Sequence, residues 1–246
     1  MEIQINRKEM KRDARLAMRD HKPSIYLITL AFLAITAVLS ILSIKLQFPG
    51  LRLLDIAKDY LTEEGNAALI SAGEHQSFLA SVLDFAISIM VGVLAAGFTL
   101  SCMAVSRREE AGIGTLMDPF AFLLKVFWLD FVTSLFIFLW SLLLVIPGIV
   151  AAYRYSFALN ILLDDPSKGV MQCIRESKQL TYGHKGDLFV LDLSFIGWAL
   201  LSVIPFVCLY TMPYFETTKA NYYNAVIGWQ PDPEPQTEEN NPWDTP

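Results

Sequence analysis

Four stretches of this chain lack the polar stripe that a helix needs on the surface of a water-soluble protein. Residues 25–44 carry no charged side chain, and residues 77–106, 126–153 and 188–215 carry one acid each: Asp84, Asp130 and Asp192. At 1.5 Å of rise per residue, about 20 apolar residues cover the roughly 30 Å hydrocarbon layer of a bilayer. The expected fold is therefore all-α, a polytopic transmembrane helix bundle.

Two of the four blocks are interrupted. Pro147-Gly148 divides the third and Pro205 the fourth, and proline cannot continue the i−4 hydrogen-bond ladder. If neither break is a turn there are four spans; if both are hairpins there are six. Charge counting separates the two. With six spans, 14 basic residues lie inside against Arg52 and Lys58 outside; with four, the split is 10 against 6. The positive-inside rule favours six spans plus an N-terminal amphipathic helix. Both counts are even, so both place the two termini in the cytoplasm.

Polar segments frame these blocks. Asn6 and Glu9 form a variant capping box, opening a helix from Arg7 to about His21 with Met10, Ala14, Ala17 and Met18 along one side. Its other side is basic, either lying on an anionic cytoplasmic leaflet or forming a solvated flank. Leu51, Leu54, Ile56, Lys58 and Leu61 suggest a short interfacial helix. The loop before the last block reads as helical from about Ser167, with Val170, Ile174 and Thr181 on one face and Gly183 as C-cap. The last helix runs from about Phe206 to Val226, and Tyr210, Tyr214, Tyr222, Tyr223 and Trp229 suit an interfacial aromatic belt. Beyond Gly228, Pro231, Pro233, Pro235 and five acids read as a disordered tail. The chain thus divides into a basic helix (1–23), a membrane domain (24–227) and an acidic tail (228–246).

Composition adds to this picture. Apolar residues make up 54% and charged residues 18%, where soluble domains run about 45–50% and 25%. The net charge of −6 hides an asymmetry: Arg7, Lys8, Lys11, Arg12, Arg15, Arg19 and Lys22 crowd the start. Because that basic stretch abuts an apolar span, it concerns topology rather than nucleic acid. Cys102, Cys173 and Cys208 are scattered, with no CxxC and hence no disulfide or zinc framework. The first apolar run is too long for a cleaved signal peptide, and no A-x-A-like site follows it.

Candidate chemistry rests with charged groups inside spans, since burying one costs at least about 2.5–3.5 kcal/mol. Those groups are Asp84, Arg154, Asp130, Asp192 and Glu216. In the six-span arrangement Asp84 and Arg154 have matching depths, which permits an ion pair, while Asp130 and Asp192 sit near the cytoplasmic side, where they suit a shared proton or cation or simply the helix dipole. His21, His75 and His184 fall in separate polar segments, and there is no HExxH, GxSxG or GxxxxGK[ST]. The expectation is a protein that is not an enzyme and takes no cofactor or metal.

Residues 139–149, Leu-Trp-Ser-Leu-Leu-Leu-Val-Ile-Pro-Gly-Ile, are followed by Ala152-Tyr153-Arg154-Tyr155-Ser156. Further on come Glu176-Ser177-Lys178, Gly183, residues 192–198, Pro213-Tyr214-Phe215-Glu216-Thr217-Thr218 and Tyr222-Tyr223. Together these resemble a family of bacterial integral membrane proteins catalogued as domain of unknown function nine-seven-five, over roughly residues 7–227. The resemblance implies a multi-helix membrane domain distantly similar to the membrane portion of some glycerophosphodiester phosphodiesterases, without their catalytic barrel. The expected role is a non-enzymatic helper or scaffold in envelope homeostasis in the cell (inner) membrane. Its partners would be the bilayer, anionic lipids and unidentified proteins. The alternative is a small transporter or lipid-handling protein that uses the intramembrane charges.

Overall fold

The computed structural model describes residues 7–20, 24–47, 78–202 and 204–229, which form helices and short connections with no strand among them. The Asn6 cap, Lys22, the interfacial helix near residue 56 and the acidic tail lie outside the described residues. In chain order the helices are α1 (Arg7–Asp20), α2 (Ile25–Gln47), α3 (Phe78–Ser106), two 3-10 turns (Ile113–Leu116 and Asp118–Phe122), α4 (Leu123–Leu143), α5 (Val145–Tyr155), α6 (Ala158–Asp164), α7 (Val170–Leu180), α8 (Lys185–Leu193), α9 (Ile196–Leu201) and α10 (Pro205–Ile227). Among the described residues four segments are long and apolar enough to cross a membrane: Ile25–Gln47, Phe78–Ser106, Ile113–Leu143 and Val145–Asp164.

Both interruptions turn the chain back on itself. The first turn falls at Leu144, whose extended backbone separates α4 from α5. Pro147 then occupies the first turn of α5, where a missing N–H costs nothing. Phe136 meets Tyr155 with ring centroids 5.9 Å apart, as two antiparallel helices require. Gly148 lets them close: a Cβ there would lie 2.2 Å from Ser141 Oγ. At the second turn Pro205 opens α10, and Phe195 stacks edge-on against Tyr214 and Phe215 at 5.1 Å.

Antiparallel α2 and α3 form the spine. Phe32 stacks on Phe98 at 4.9 Å, and further along Ser43 donates to the Asp84 carboxylate. The chain then returns against the waist of α3, where a Cβ on Gly97 would come within 2.2 Å of the Leu116 carbonyl oxygen. Seven hydroxyls within the helices are satisfied locally. Thr29, Thr36, Ser101, Thr133, Ser202, Thr211 and Thr218 each donate to the carbonyl four residues back, which spares the bilayer an unpaired donor.

Burial is polarised. Ala14, Ala17 and Met18 of α1 are buried, and Asn221 of α10 donates to the Met10 carbonyl at 3.1 Å. At the same end Arg107 reaches both Asp164 oxygens at 2.7 and 2.9 Å and the Asn224 side chain at 3.0 Å, while Tyr223 donates to Asp164 at 2.8 Å. The α4–α5 turn at the other end is bare hydrocarbon, with Ile146 76% exposed. Tyr214, Tyr222 and Tyr223 are buried in the packed end rather than arrayed in an interfacial belt. They mediate helix packing, with Phe157 between the last two at 6.1 and 5.5 Å.

Candidate functional site

The sequence around residue 90 places small side chains at helical spacing on α3: Ser88, Gly92, Ala95, Ala96 and Thr99. Residues three and four apart share a helix face, so this face is a trough. Asp130 and Thr133 of α4 form the opposite wall, and Tyr155 and Ala158 close the floor. The cavity between them measures about 500 Å³. Val93, Ala96, Val126, Leu129 and Ala158 are buried at its base, whereas Phe85, Ser88 and Asp130 stand exposed at its rim. Every residue that lines it belongs to one of three apolar spans. Phe85 and Phe127 meet edge-on at 6.1 Å and bridge α3 to α4.

The polar atoms of this groove are biased. Ser88 Oγ donates to the Asp84 carbonyl at 3.0 Å and Thr133 Oγ1 to the Leu129 carbonyl at 2.8 Å, which leaves both oxygens to the groove as acceptors. The Asp130 carboxylate has no side-chain partner among the described residues, and no Lys, Arg or His lines the cavity.

The other intramembrane charges are placed elsewhere. Asp84 is held by Ser43 of α2 and does not pair with Arg154. The Arg154 carbonyl accepts Ser177 Oγ at 3.0 Å and Thr181 Oγ1 at 3.3 Å, which pins α7 to the end of α5. Equal depth along the chain therefore did not translate into contact, because the two residues face different neighbours. Asp192 accepts the Tyr153 hydroxyl at 3.0 Å. Tyr153 and Tyr155 are two positions apart, roughly 200° around a helix, so Asp192 and Asp130 lie on opposite sides of α5 and share nothing. Glu216 is half-buried on α10 beside Cys102 of α3.

Of the basic residues in α1, two turn into the protein. Arg7 pairs with Asp187 at 3.5 Å. Lys11 donates to Ser194 at 2.7 Å and lies 4.1 Å over the Phe195 ring; burial, helped by nearby Arg15, holds its ammonium below the ordinary lysine range. Lys8, Arg12, Arg15 and Arg19 remain on the exposed face. Among the described residues no group of His, Cys, Asp and Glu is arranged to hold a metal ion.

Sequence reasoning singled out Asp130 but missed Ser88, Gly92 and Thr99. The signal was present as a run of small residues three and four apart within a span, the pattern that lets helices or a ligand approach closely.

No curated protein and no solved structure matches the chain. Over residues 142–229, from the tip of the α4–α5 turn to the end of α10, the chain carries the pattern of the family described as Protein of unknown function (DUF975), the family that its own residues resemble.

Proposed function

We propose that this is a non-enzymatic protein of the bacterial cell membrane that handles a membrane-resident amphiphile in the groove between α3, α4 and α5–α6. One observation carries the reading: the partnerless Asp130 carboxylate stands in the wall of a largely apolar cavity opening among membrane spans. An unpaired charge within a span is costly, and a polar group of a bound ligand offsets that cost. The cavity volume falls within the roughly 300–1,000 Å³ of small-molecule sites. A hydrophilic solute path through Asp84, Arg154, Asp130 and Asp192 has less support, since Asp84 and Asp192 are each held by a hydroxyl outside the groove.

Both chain ends face the cytoplasm in this reading. Helix α1, the end of α10, Arg107, Lys125 and Lys168 gather at one end of the molecule, while the two hairpin turns carry no charge. The positive-inside rule puts the basic end in the cytoplasm, against an anionic leaflet. A scaffold role draws on a separate observation, the docking of α1 by its apolar side, which fixes Arg12, Arg15 and Arg19 outward as a rigid basic surface.

The test is to purify the full chain in a mild detergent and identify retained lipids by mass spectrometry. Wild type retains an amphiphile, and Gly92→Leu, whose side chain enters open space in the groove, loses it. Equal retention by both proteins, or none by wild type, overturns the proposal.

A further inference from the structure

The wall chemistry says which amphiphile. Resting on the amphiphile-binding reading above, we propose that the groove selects a lipid-like molecule with a protonated amine in its headgroup, with the Asp130 carboxylate as counter-ion and the Ser88 and Thr133 oxygens as neighbouring acceptors. The argument is one of donor and acceptor accounting. An ionised carboxylate only accepts, and a hydroxyl whose proton is already donated to its own helix also only accepts. A phosphate or carboxylate headgroup would bring further acceptors and like charge to a wall without a cationic side chain. An ammonium brings three donors and the opposite charge. The remaining hydroxyls, Thr99 and Tyr155, lie towards the floor and suit a neutral polar group between headgroup and chain. The apolar part of the ligand would lie along Phe85 and Ile89, where the groove opens beside the exposed apolar face of α3.

Three probes of one chain length separate the alternatives: hexadecylamine, hexadecanol and hexadecanoic acid, titrated against the full chain in nanodiscs of a zwitterionic lipid. Both probes can donate to the carboxylate, but only the ammonium brings the opposite charge as well, which should make the amine bind about tenfold more tightly than the alcohol in wild type. Asp130→Asn should abolish that preference while leaving the alcohol's affinity unchanged. Asp118→Asn, at an exposed acid outside the groove, should retain the preference, which excludes general attraction of an amine to an acidic protein. If wild type binds all three probes alike, or if Asp130→Asn still prefers the amine, the amine assignment is wrong while groove binding stands. If no probe binds, or if Gly92→Leu binds them as wild type does, the groove reading itself fails. Cooperative thermal unfolding of each variant, measured first, shows that the comparison is between folded proteins.

Discussion

Gly92 and Gly97 lie on the same helix and meet opposite surroundings. A methyl group at Gly92 would have nothing within 4 Å, whereas at Gly97 it would lie 2.2 Å from the Leu116 carbonyl oxygen and 2.7 Å from the Leu116 backbone carbons. Backbone cannot swing aside as a flexible side chain does. In a helix interior alanine is favoured over glycine by about 1 kcal/mol, so Gly92→Ala should raise stability by up to that amount. Gly97→Ala gains the same propensity but forces the 3-10 turn off α3, an overpacking cost of about 1–3 kcal/mol. Unfolding midpoints in detergent should therefore move in opposite directions, and a destabilised Gly92→Ala or an unaffected Gly97→Ala would contradict this packing. Arg107 supports a second residue-scale prediction. Its guanidinium bonds both Asp164 oxygens and Asn224 at once, with only 13% of its side chain exposed. Arg107→Ala leaves Asp164 with Tyr223 alone and should cost about 2 kcal/mol or more, since charged partners left unpaired lose the most. Arg107→Lys should recover little of this, because an ammonium cannot reproduce a planar fork on two carboxylate oxygens.

At the level of elements, the hairpins were legible in the sequence and their exact corners were not. Pro147-Gly148 marked the interruption, yet the chain turns at Leu144, because a proline in the first turn of a helix is a favourable start and the glycine is needed for contact with Ser141. Counting residues supplied depth but not azimuth. Asp84 was placed at the depth of Arg154, while the group that meets it is the neutral hydroxyl of Ser43 on α2, which a count of charges passes over. The small-residue face of α3 needed the third dimension to become a groove, since the same spacing also serves helix–helix packing. The α7 helix was readable from Val170, Ile174 and Thr181, but it starts at Val170 rather than Ser167 and is capped at Thr181 rather than Gly183; the structure adds what holds it: Ser177 and Thr181 on the Arg154 carbonyl, and Glu176 receiving Lys168 at 2.8 Å and Gln172 at 2.9 Å. Those two donors, Lys168 first, hold the Glu176 carboxyl below its ordinary value of 4.5. A depressed folded pKa contributes stability above the unfolded value that is lost as pH falls through the folded one. Protection of α7 amides against hydrogen exchange, corrected for intrinsic rates, should thus hold at neutral pH and weaken as pH drops below about 4.5. The effect should be modest, within the roughly 0–1 kcal/mol of a partly exposed pair. In Glu176→Gln the pH dependence of that protection should largely disappear, and a variant that kept the full wild-type acid response would show that this pair does not govern the helix.

At the scale of the whole molecule, and among the described residues, one end is tied together by ion pairs and packed aromatics while the α4–α5 turn at the other is bare hydrocarbon. This asymmetry follows from what each end must do. At the basic end, polar groups meet one another and water, and the closely packed end of α10 secures α1, α3 and α6. Towards the hairpin end the helices need only satisfy their own backbones, so Leu135, Phe138 and Leu139 on the body of α4 are left exposed, at no hydrophobic cost where lipid rather than water surrounds them. The arrangement makes a prediction about sidedness that does not depend on the groove. Cys102 and Cys173 are buried and Cys208 is partly so, which keeps background labelling low and allows single cysteines to report position. In intact cells, Val145→Cys at the α4–α5 tip should react with a membrane-impermeant maleimide added outside, and Ser167→Cys, between α6 and α7, should react only after the membrane is permeabilised. Lys8→Cys, on the exposed side of α1, should follow Ser167→Cys because α1 and the α6–α7 connection flank the same end of α10. Labelling of Val145→Cys and Ser167→Cys from the same side would mean that the α4–α5 hairpin re-enters the membrane without crossing it.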